Sequence, residues 1–189
     1  MPNLLEIGGI FLKLLLRRNS YIVGLAIFHI VFRITPFNLL RVFILRIVGA
    51  NIGKDTFISP RARFEFPWRI TIGSNSYIGQ KVLLDGRGGL IVIGDSVDIS
   101  EGAFIYTLSH DIYSDSFATK GGDIYIGDYS WICAGVKILP ATSLGNGCVI
   151  GSNSVFVGKS LPYALYSGVP AVFLKELPHN RASNVVRKK

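Results

Sequence analysis

Between residues 126 and 156 an aliphatic or aromatic side chain returns every sixth position: Ile126, Ile132, Ile138, Leu144, Ile150 and Phe156. A helix repeats its apolar face every 3.6 residues and a strand every two, so a strict six belongs to a higher-order repeat. The same step runs through Ile52, Ile58, Phe64 and Ile70. A slip of two restarts it at Ile72, Ile78 and Leu84, and a slip of three at Ile93, Ile99 and Ile105, before a longer insertion leads to Ile126. Four places after most of these positions stands a small or β-branched residue, among them Thr56, Ala62, Ser76, Val97, Ser130, Val136, Cys148 and Ser154. In an extended segment, residues two apart share a face, so Ser130 and Ile132 point inward and Trp131 outward. Small, turn-prone residues in "CAG", "GNG" and "GSN" follow at the phase where the chain must bend. The pattern predicts short strands joined by corners. Three such sides close a coil, and successive coils stack as parallel sheets about 4.8 Å apart.

The first fifty residues follow a different rule. In "NLLEIGGIFLKLLLRRNS" the polar residues Glu6, Lys13 and Arg17 fall in one narrow sector at helical spacing, which predicts an amphipathic helix. "SYIVGLAIFHIVFR" predicts a second helix whose apolar run is roughly 20 Å long, short of a hydrocarbon core of about 30 Å. "TPFN" predicts a Thr cap with Pro at the first helical position, opening a third helix that stops near Gly49. No small-residue cleavage site follows, so a secretory signal is not expected. The expected organisation is an amphipathic membrane-surface or capping segment over 1–50, a coil over 51–175 and a basic tail over 176–189. Two readings of the first segment stand side by side: an anchor lying in the bilayer interface, or a cap packed on the coil or a neighbouring subunit.

Charge sharpens this division. The chain of 189 residues carries a formal +8, of which residues 1–50 hold +5 and residues 181–189 hold +4, leaving the body nearly neutral. Phosphate binding by nucleic-acid proteins needs a basic face on the folded body, so no nucleic-acid partner is expected. Basic ends beside an apolar segment fit an anionic membrane surface, and the expected location is cytoplasmic, peripheral on the inner face of the membrane. Cys133 and Cys148 lie without a CxxC or a histidine cluster, which argues against a disulfide framework or a metal site.

"IGDSVDISEGAFIYTLSHD", an interrupting loop, "IGDYSWICAGVKILP" and "GKSLPYALYSGVPA" together resemble the hexapeptide-repeat acyltransferases, and among them the galactoside, maltose and capsular-polysaccharide O-acetyltransferases. The resemblance covers roughly residues 51–175. It implies an all-β fold, a left-handed parallel β-helix, an exception to the usual right-handed crossover. It further implies acetyl-CoA as donor, a homotrimer, an active site between subunits, and no metal.

Of the three histidines, His29 lies in the apolar second helix and His179 in the terminal tail. His110 follows the Ile105 strand and opens "SHDIYSDSFATKGGD", where a side chain can leave the wall, and similar enzymes carry their general base there. Imidazole, with an unperturbed pKa of about 6.5, can take the proton of an attacking hydroxyl near neutrality without an acyl-enzyme. Asp85 stands where the galactoside and maltose enzymes have an asparagine facing the acceptor; its carboxylate is expected to receive a sugar hydroxyl or to orient His110. Arg87, in "GRGG", is a candidate contact for an anionic acceptor, and Asp111 for the acceptor or as a loop cap. For the donor, an eighteen-residue coil stacks Ala134, Ser152 and Pro170, and beside them Gly135, Asn153 and Ala171, as an outer lane of small residues. By resemblance Trp131 borders that lane, and Lys159 and Lys175 stand at basic positions near the nucleotide; Val172 departs from the pattern, which commonly has Arg or Lys there. Cys133 and Cys148 are read as structural.

These features point to an acetyl-CoA-dependent O-acetyltransferase of a cell-envelope or capsular glycan precursor. The alternatives are an acetyltransferase for a small soluble acceptor such as serine or a nucleotide-linked amino sugar, and a non-catalytic β-helical scaffold. A γ-type carbonic anhydrase shares the coil, but needs three convergent zinc ligands, and two of the three histidines lie outside it.

Overall fold

A computed structural model describes residues 24, 26 and 28–179. The predicted helix over residues 3–20 lies outside these. From Asn51 the chain winds through short strands that form three parallel sheets. The first face stacks Asn51–Ile52, Ile70–Ile72, Ile91–Ile93, Ile124–Ile126 and Thr142–Leu144. The second begins with Phe57–Ile58, Tyr77–Ile78, Asp98–Ile99, Trp131–Ile132 and Val149–Ile150. The third stacks Arg63–Glu65, Leu83–Asp85, Phe104–Tyr106, Lys137–Ile138 and Val155–Phe156.

The hexad residues are the core. Ile52, Ile72, Ile93, Ile126 and Leu144 pair coil upon coil, as do Ile58, Ile78, Ile99, Ile132 and Ile150, and all are buried. Each adds apolar area at roughly 25 cal/mol per Å², while the backbone groups pair with the coils above and below. The second regularity also has a cause. Thr56 donates to the carbonyl of Gly73 (2.6 Å), Ser76 to Gly94 (3.0 Å) and Ser130 to Gly145 (3.2 Å). A small inward hydroxyl thus satisfies a corner carbonyl of the next coil.

The slips in the repeat mark bulges at the corner between the third and first faces. The first slip holds the short 3-10 turn Pro67–Arg69, and the second holds "GRGG". The long insertion leaves the same corner as an antiparallel hairpin, Leu108–His110 against Thr119–Gly121.

The helical segment closes the open end of the coil. Residues 28–34 are helical, and a second helix runs Asn38–Ile47. Its Val42 and Leu45, with Phe32, belong to the same buried cluster as Ile52, Ile58 and Phe64. A β-helix ends in unpaired strand edges, and here helix side chains pair them. Arg46 donates to the carbonyl of Ile52 on the first face (2.6 Å). Asn38 accepts from the amide of Ile58 (2.9 Å) and donates to the carbonyl of Thr56 (2.8 Å) on the second. On the third, His29 Nε2 accepts from the amide of Phe64 (3.3 Å). Arg41, almost wholly buried, donates to the carbonyls of Ile58, Thr35 and Pro36 (2.8, 2.8 and 3.2 Å). Burial pulls its guanidinium below the usual range.

Thr35 does not cap the helix Asn38–Ile47 as expected. Its hydroxyl donates back to the carbonyl of Val31 (2.7 Å), closing the preceding helix, and Phe37 is the N-cap without a side-chain bond. Asn38, the residue that would otherwise serve locally, is turned toward the coil. The C-terminus does end near Gly49, which has φ +97°; the amides of Gly49 and Ala50 return to the carbonyls of Arg46 and Leu45.

At the other end the predicted lane is corrected. Val149 pairs with Leu165, and Ile150 with Tyr166, so the last coil is two residues short of eighteen. Pro170 therefore does not stack on Ser152. It lies in the turn of an antiparallel pair, Ala164–Gly168 with Ala171–Glu176, that covers the edge of the second face. Order also continues past residue 175: Leu177 is buried and its amide donates to the carbonyl of Tyr163 (2.6 Å), while the His179 ring stacks on Tyr163 with centroids 4.3 Å apart.

Candidate active site

The hairpin is rooted by Thr107, which is fully buried. Its hydroxyl donates to the carbonyl of Asp85 (2.6 Å) and accepts from the amide of Gly88 (2.9 Å), while its carbonyl accepts from the amide of Gly122 (2.9 Å). A Cβ at Gly121 would collide with the carbonyl of Gly88, and one at Gly88 with the carbonyl of Thr107. "GRGG" is the floor against which the hairpin sits, a role composition alone does not reveal.

His110 ends the outgoing strand, with its ring exposed. Its Nδ1 lies 2.7 Å from the carbonyl oxygen of Phe117. A carbonyl only accepts, so Nδ1 carries the hydrogen and Nε2 carries the lone pair in the neutral ring. The loop that presents this carbonyl is self-bracing. The amide of Asp111 donates to the carbonyl of Ala118 (2.8 Å), Asp111 Oδ1 accepts from the amide of Tyr113 (3.0 Å), and Phe117 sits in the left-handed region with φ +47°. Asp111 is therefore placed as the loop's cap.

Asp85 lies on the same corner one coil earlier, but it does not touch His110. Its side chain is fully buried and both carboxylate oxygens are engaged by Arg87, with Nε at 2.9 and 3.1 Å and Nη2 at 2.7 Å. The expectation that Asp85 orients the imidazole gives way to a backbone acceptor. It is the half-exposed guanidinium of Arg87, whose peptide oxygen is in turn held by Arg69 (3.1 Å), that faces outward from this pair.

The residues expected on the donor side lie elsewhere on the coil. Trp131 projects from the second face, 48% exposed, and its indole N–H donates to Ser100 Oγ (2.9 Å), which donates to Asp98 (3.3 Å). Ala134 and Ser152 are both exposed at the corner between the second and third faces, with the amide of Asn153 bonded to the carbonyl of Ala134 (2.9 Å). Gly135, at φ +71°, leaves no room for a Cβ beside Asn153 Oδ1. An extended chain would find small side chains and open backbone along this corner. The backbone of Lys159 bridges to Ser143 on the first face, and that of Lys175 pairs with Leu165 on the second.

The cysteines lie inside. Cys148 is fully buried, with Sγ 2.9 Å from Ser160 Oγ and 2.8 Å from the carbonyl of Leu161. Burial pushes the Cys133 thiol up, a hydrogen bond with Ser152 opposes this, and the charge of Asp98 adds to it. A protonated, enclosed thiol is a poor nucleophile.

A three-sided parallel coil with a corner hairpin bearing a tautomer-fixed histidine defines the class: a hexapeptide-repeat transferase. Residues 123–158 match the profile of the bacterial transferase hexapeptide, six repeats. The chain is 36% identical over 137 residues to WcaF of Escherichia coli, named as a candidate colanic acid biosynthesis acetyltransferase, covering 72% of this chain and 74% of that one. It is 27% identical to the Escherichia coli galactoside O-acetyltransferase, over 68% of this chain and 64% of the other. A hexapeptide-repeat acetyltransferase of Vibrio cholerae, solved with acetyl coenzyme A, superposes with a TM-score of 0.75 at 28% identity, covering 81% of this chain and 85% of that one. A maltose O-acetyltransferase of Clostridium difficile gives 0.77 at 26%, covering 88% and 90%. This chain belongs to the hexapeptide-repeat acyltransferases.

Proposed function

We propose that this protein is a trimeric, acetyl-CoA-dependent O-acetyltransferase that modifies a hydroxyl of a cell-envelope or capsular glycan precursor at a membrane surface. The observation that carries the proposal is the bond from His110 Nδ1 to the Phe117 carbonyl, which leaves Nε2 as a base on an exposed hairpin. The naming of WcaF as a candidate colanic acid biosynthesis acetyltransferase supports the substrate class.

The acetyl thioester, when bound, supplies an electrophilic carbonyl and a thiolate leaving group. His110 Nε2 takes the proton of the acceptor hydroxyl as its oxygen attacks; the C–S bond breaks as the ester C–O bond forms, and the imidazolium returns its proton to the departing sulfur or to solvent. The Phe117 carbonyl holds the ring in the required tautomer and stabilises the imidazolium as it forms. Arg87 is the outward cation beside the acceptor position, and Trp131, Ala134, Gly135 and Ser152 line the course of the donor.

The placement of the two sets of residues supports a trimeric assembly. His110 leaves the corner between the third and first faces, whereas Trp131 and Ala134 lie on the second face and its far corner. A threefold arrangement that lays the hairpin of one copy over the second face of the next would join the two halves. Among the described residues no helix is long and apolar enough to cross a membrane. The outer side of the helical cap nevertheless shows Leu39, Phe43 and Ile47 at 84%, 57% and 68% exposure, an apolar surface suited to the interface of a bilayer.

The test is thiol release from acetyl-CoA across free, nucleotide-linked and lipid-linked saccharides, with the H110A variant as control. Release stimulated by lipid-linked glycans and lost in the variant is the expected result. Preference for a free sugar or for serine would replace the substrate, and undiminished turnover in the variant would remove His110 from the mechanism.

A further inference from the structure

The cap and the first two coils border an open cavity of about 320 Å³ on the edge away from the hairpin. Its walls are His29 and Arg33 from the helix over 28–34, Pro60–Arg63 from the first coil and Lys81 from the second. Four cations converge there, while two carboxylates stand close: Glu65 at 3.5 Å from Arg63 and Glu101 at 3.1 Å from Lys81. Arg33 and Arg61 have no carboxylate within ion-pair distance among the described residues. A net positive cluster remains around a cavity with room for a phosphate and several waters, each taking about 30 Å³.

The helix explains what kind of phosphate would reach it. His29 and Arg33, four apart, share one face and line the cavity; Ile30 and Ile34, displaced by one residue, form the neighbouring face and are 61% and 72% exposed. A basic recess thus opens beside an apolar strip that continues to Phe37. A soluble anion needs only the first feature. A lipid, whose phosphate adjoins its acyl chains, matches both.

We infer that this cavity is a binding site for the phosphate of an anionic lipid, with Arg33 and Arg61 as its principal donors. Seated there, the headgroup would set the helical end of the coil against the membrane while the apolar strip enters the interface. This rests on the membrane-facing reading of the cap and is independent of the chemistry at His110. Guanidinium groups suit the task because they stay charged and can donate to two phosphate oxygens at once.

The experiment is co-sedimentation of the whole chain with vesicles of phosphatidylcholine alone and with added phosphatidate, comparing R33Q/R61Q with K54Q/K137Q, which removes the same charge outside the cavity. One basic residue at an anionic surface is worth about fivefold in affinity, so R33Q/R61Q should weaken binding to phosphatidate vesicles roughly 30-fold. The K54Q/K137Q pair should change it less than about threefold, and binding to phosphatidylcholine alone should be the same for all. Equal losses in both variants would overturn the site in favour of diffuse attraction. If inorganic phosphate binds the cavity by calorimetry and R33Q/R61Q abolishes this while vesicles make no distinction, the ligand is a soluble phosphate and the lipid assignment fails. Absence of binding to any vesicle would sink the membrane-facing reading itself, and with it this site, leaving the acyl-transfer proposal to its own assay.

Discussion

The wall of the coil and the hairpin that leaves it solve opposite problems. In the wall each apolar side chain meets its equivalent one coil away, inner strands are paired on both sides, and the edge of the first coil is met by Asn38, Arg41, Arg46 and His29. Loss of one contact leaves the repetition standing. The hairpin has three cross-strand pairs, almost no buried side chain and one root at Thr107. It contributes little to stability and holds one ring in one tautomer. Stability is distributed, whereas the proposed chemistry rests on a few bonds, so substitutions in the two regions should separate cleanly in their effects.

The largest effect should come from the hairpin. His110→Ala should lower kcat by about 10²–10⁴, with the melting temperature and acetyl-CoA binding nearly unchanged; a loss seen only in KM would place His110 in binding instead of proton transfer. The wall's counterpart is Arg41→Met, which leaves the carbonyls of Ile58, Thr35 and Pro36 without their donor. It should cost roughly 2–4 kcal/mol by chemical denaturation while kcat per folded molecule holds. A neutral result would mean that water replaces the guanidinium and that the cap is not held by it.

Smaller changes refine the boundary between the regions. Trp131→Ala should raise KM for acetyl-CoA about tenfold and leave the fold intact, because the half-exposed indole bonds to Ser100 without entering the core. An unchanged KM would reduce Trp131 to subunit packing. Cys133→Ala should leave kcat within about twofold, and native Cys133 should alkylate near pH 7.5 about tenfold or more slowly than free cysteine. The sign follows from the raised thiol: burial disfavours the thiolate, so reactivity should climb only as the pH passes above the ordinary cysteine range. Rapid inactivation by alkylation would reopen the nucleophile question.

The coil was legible because its period is enforced by local geometry. A six-residue step with small residues at a fixed phase has one economical closed form, and the extra residues between Phe64 and Ile72, Leu84 and Ile93, and Ile105 and Ile126 each became a bulge or hairpin on one corner. His110 stood out for the same reason, as a base where the period breaks. Its partner did not. Asp85, singled out by resemblance, was expected to receive a sugar hydroxyl or to orient the ring, yet Arg87, two residues on, takes both its oxygens, and the acceptor for the ring is a backbone carbonyl that no side-chain motif announces.

Thr35 and Pro170 show the same limit. Thr35 has the composition of an N-cap, but the helix starts three residues later and its hydroxyl returns to Val31 to close the preceding helix. Pro170 fits the small-residue lane by counting, and the two-residue shortening of the last coil removes it. Periodicity along the chain determined the fold, the interior and the place where the hairpin departs from the wall, since these depend on short-range geometry repeated many times. Only the folded arrangement decided which polar groups meet, because a hydrogen bond is settled within a few tenths of an ångström by whatever neighbour the tertiary packing brings first.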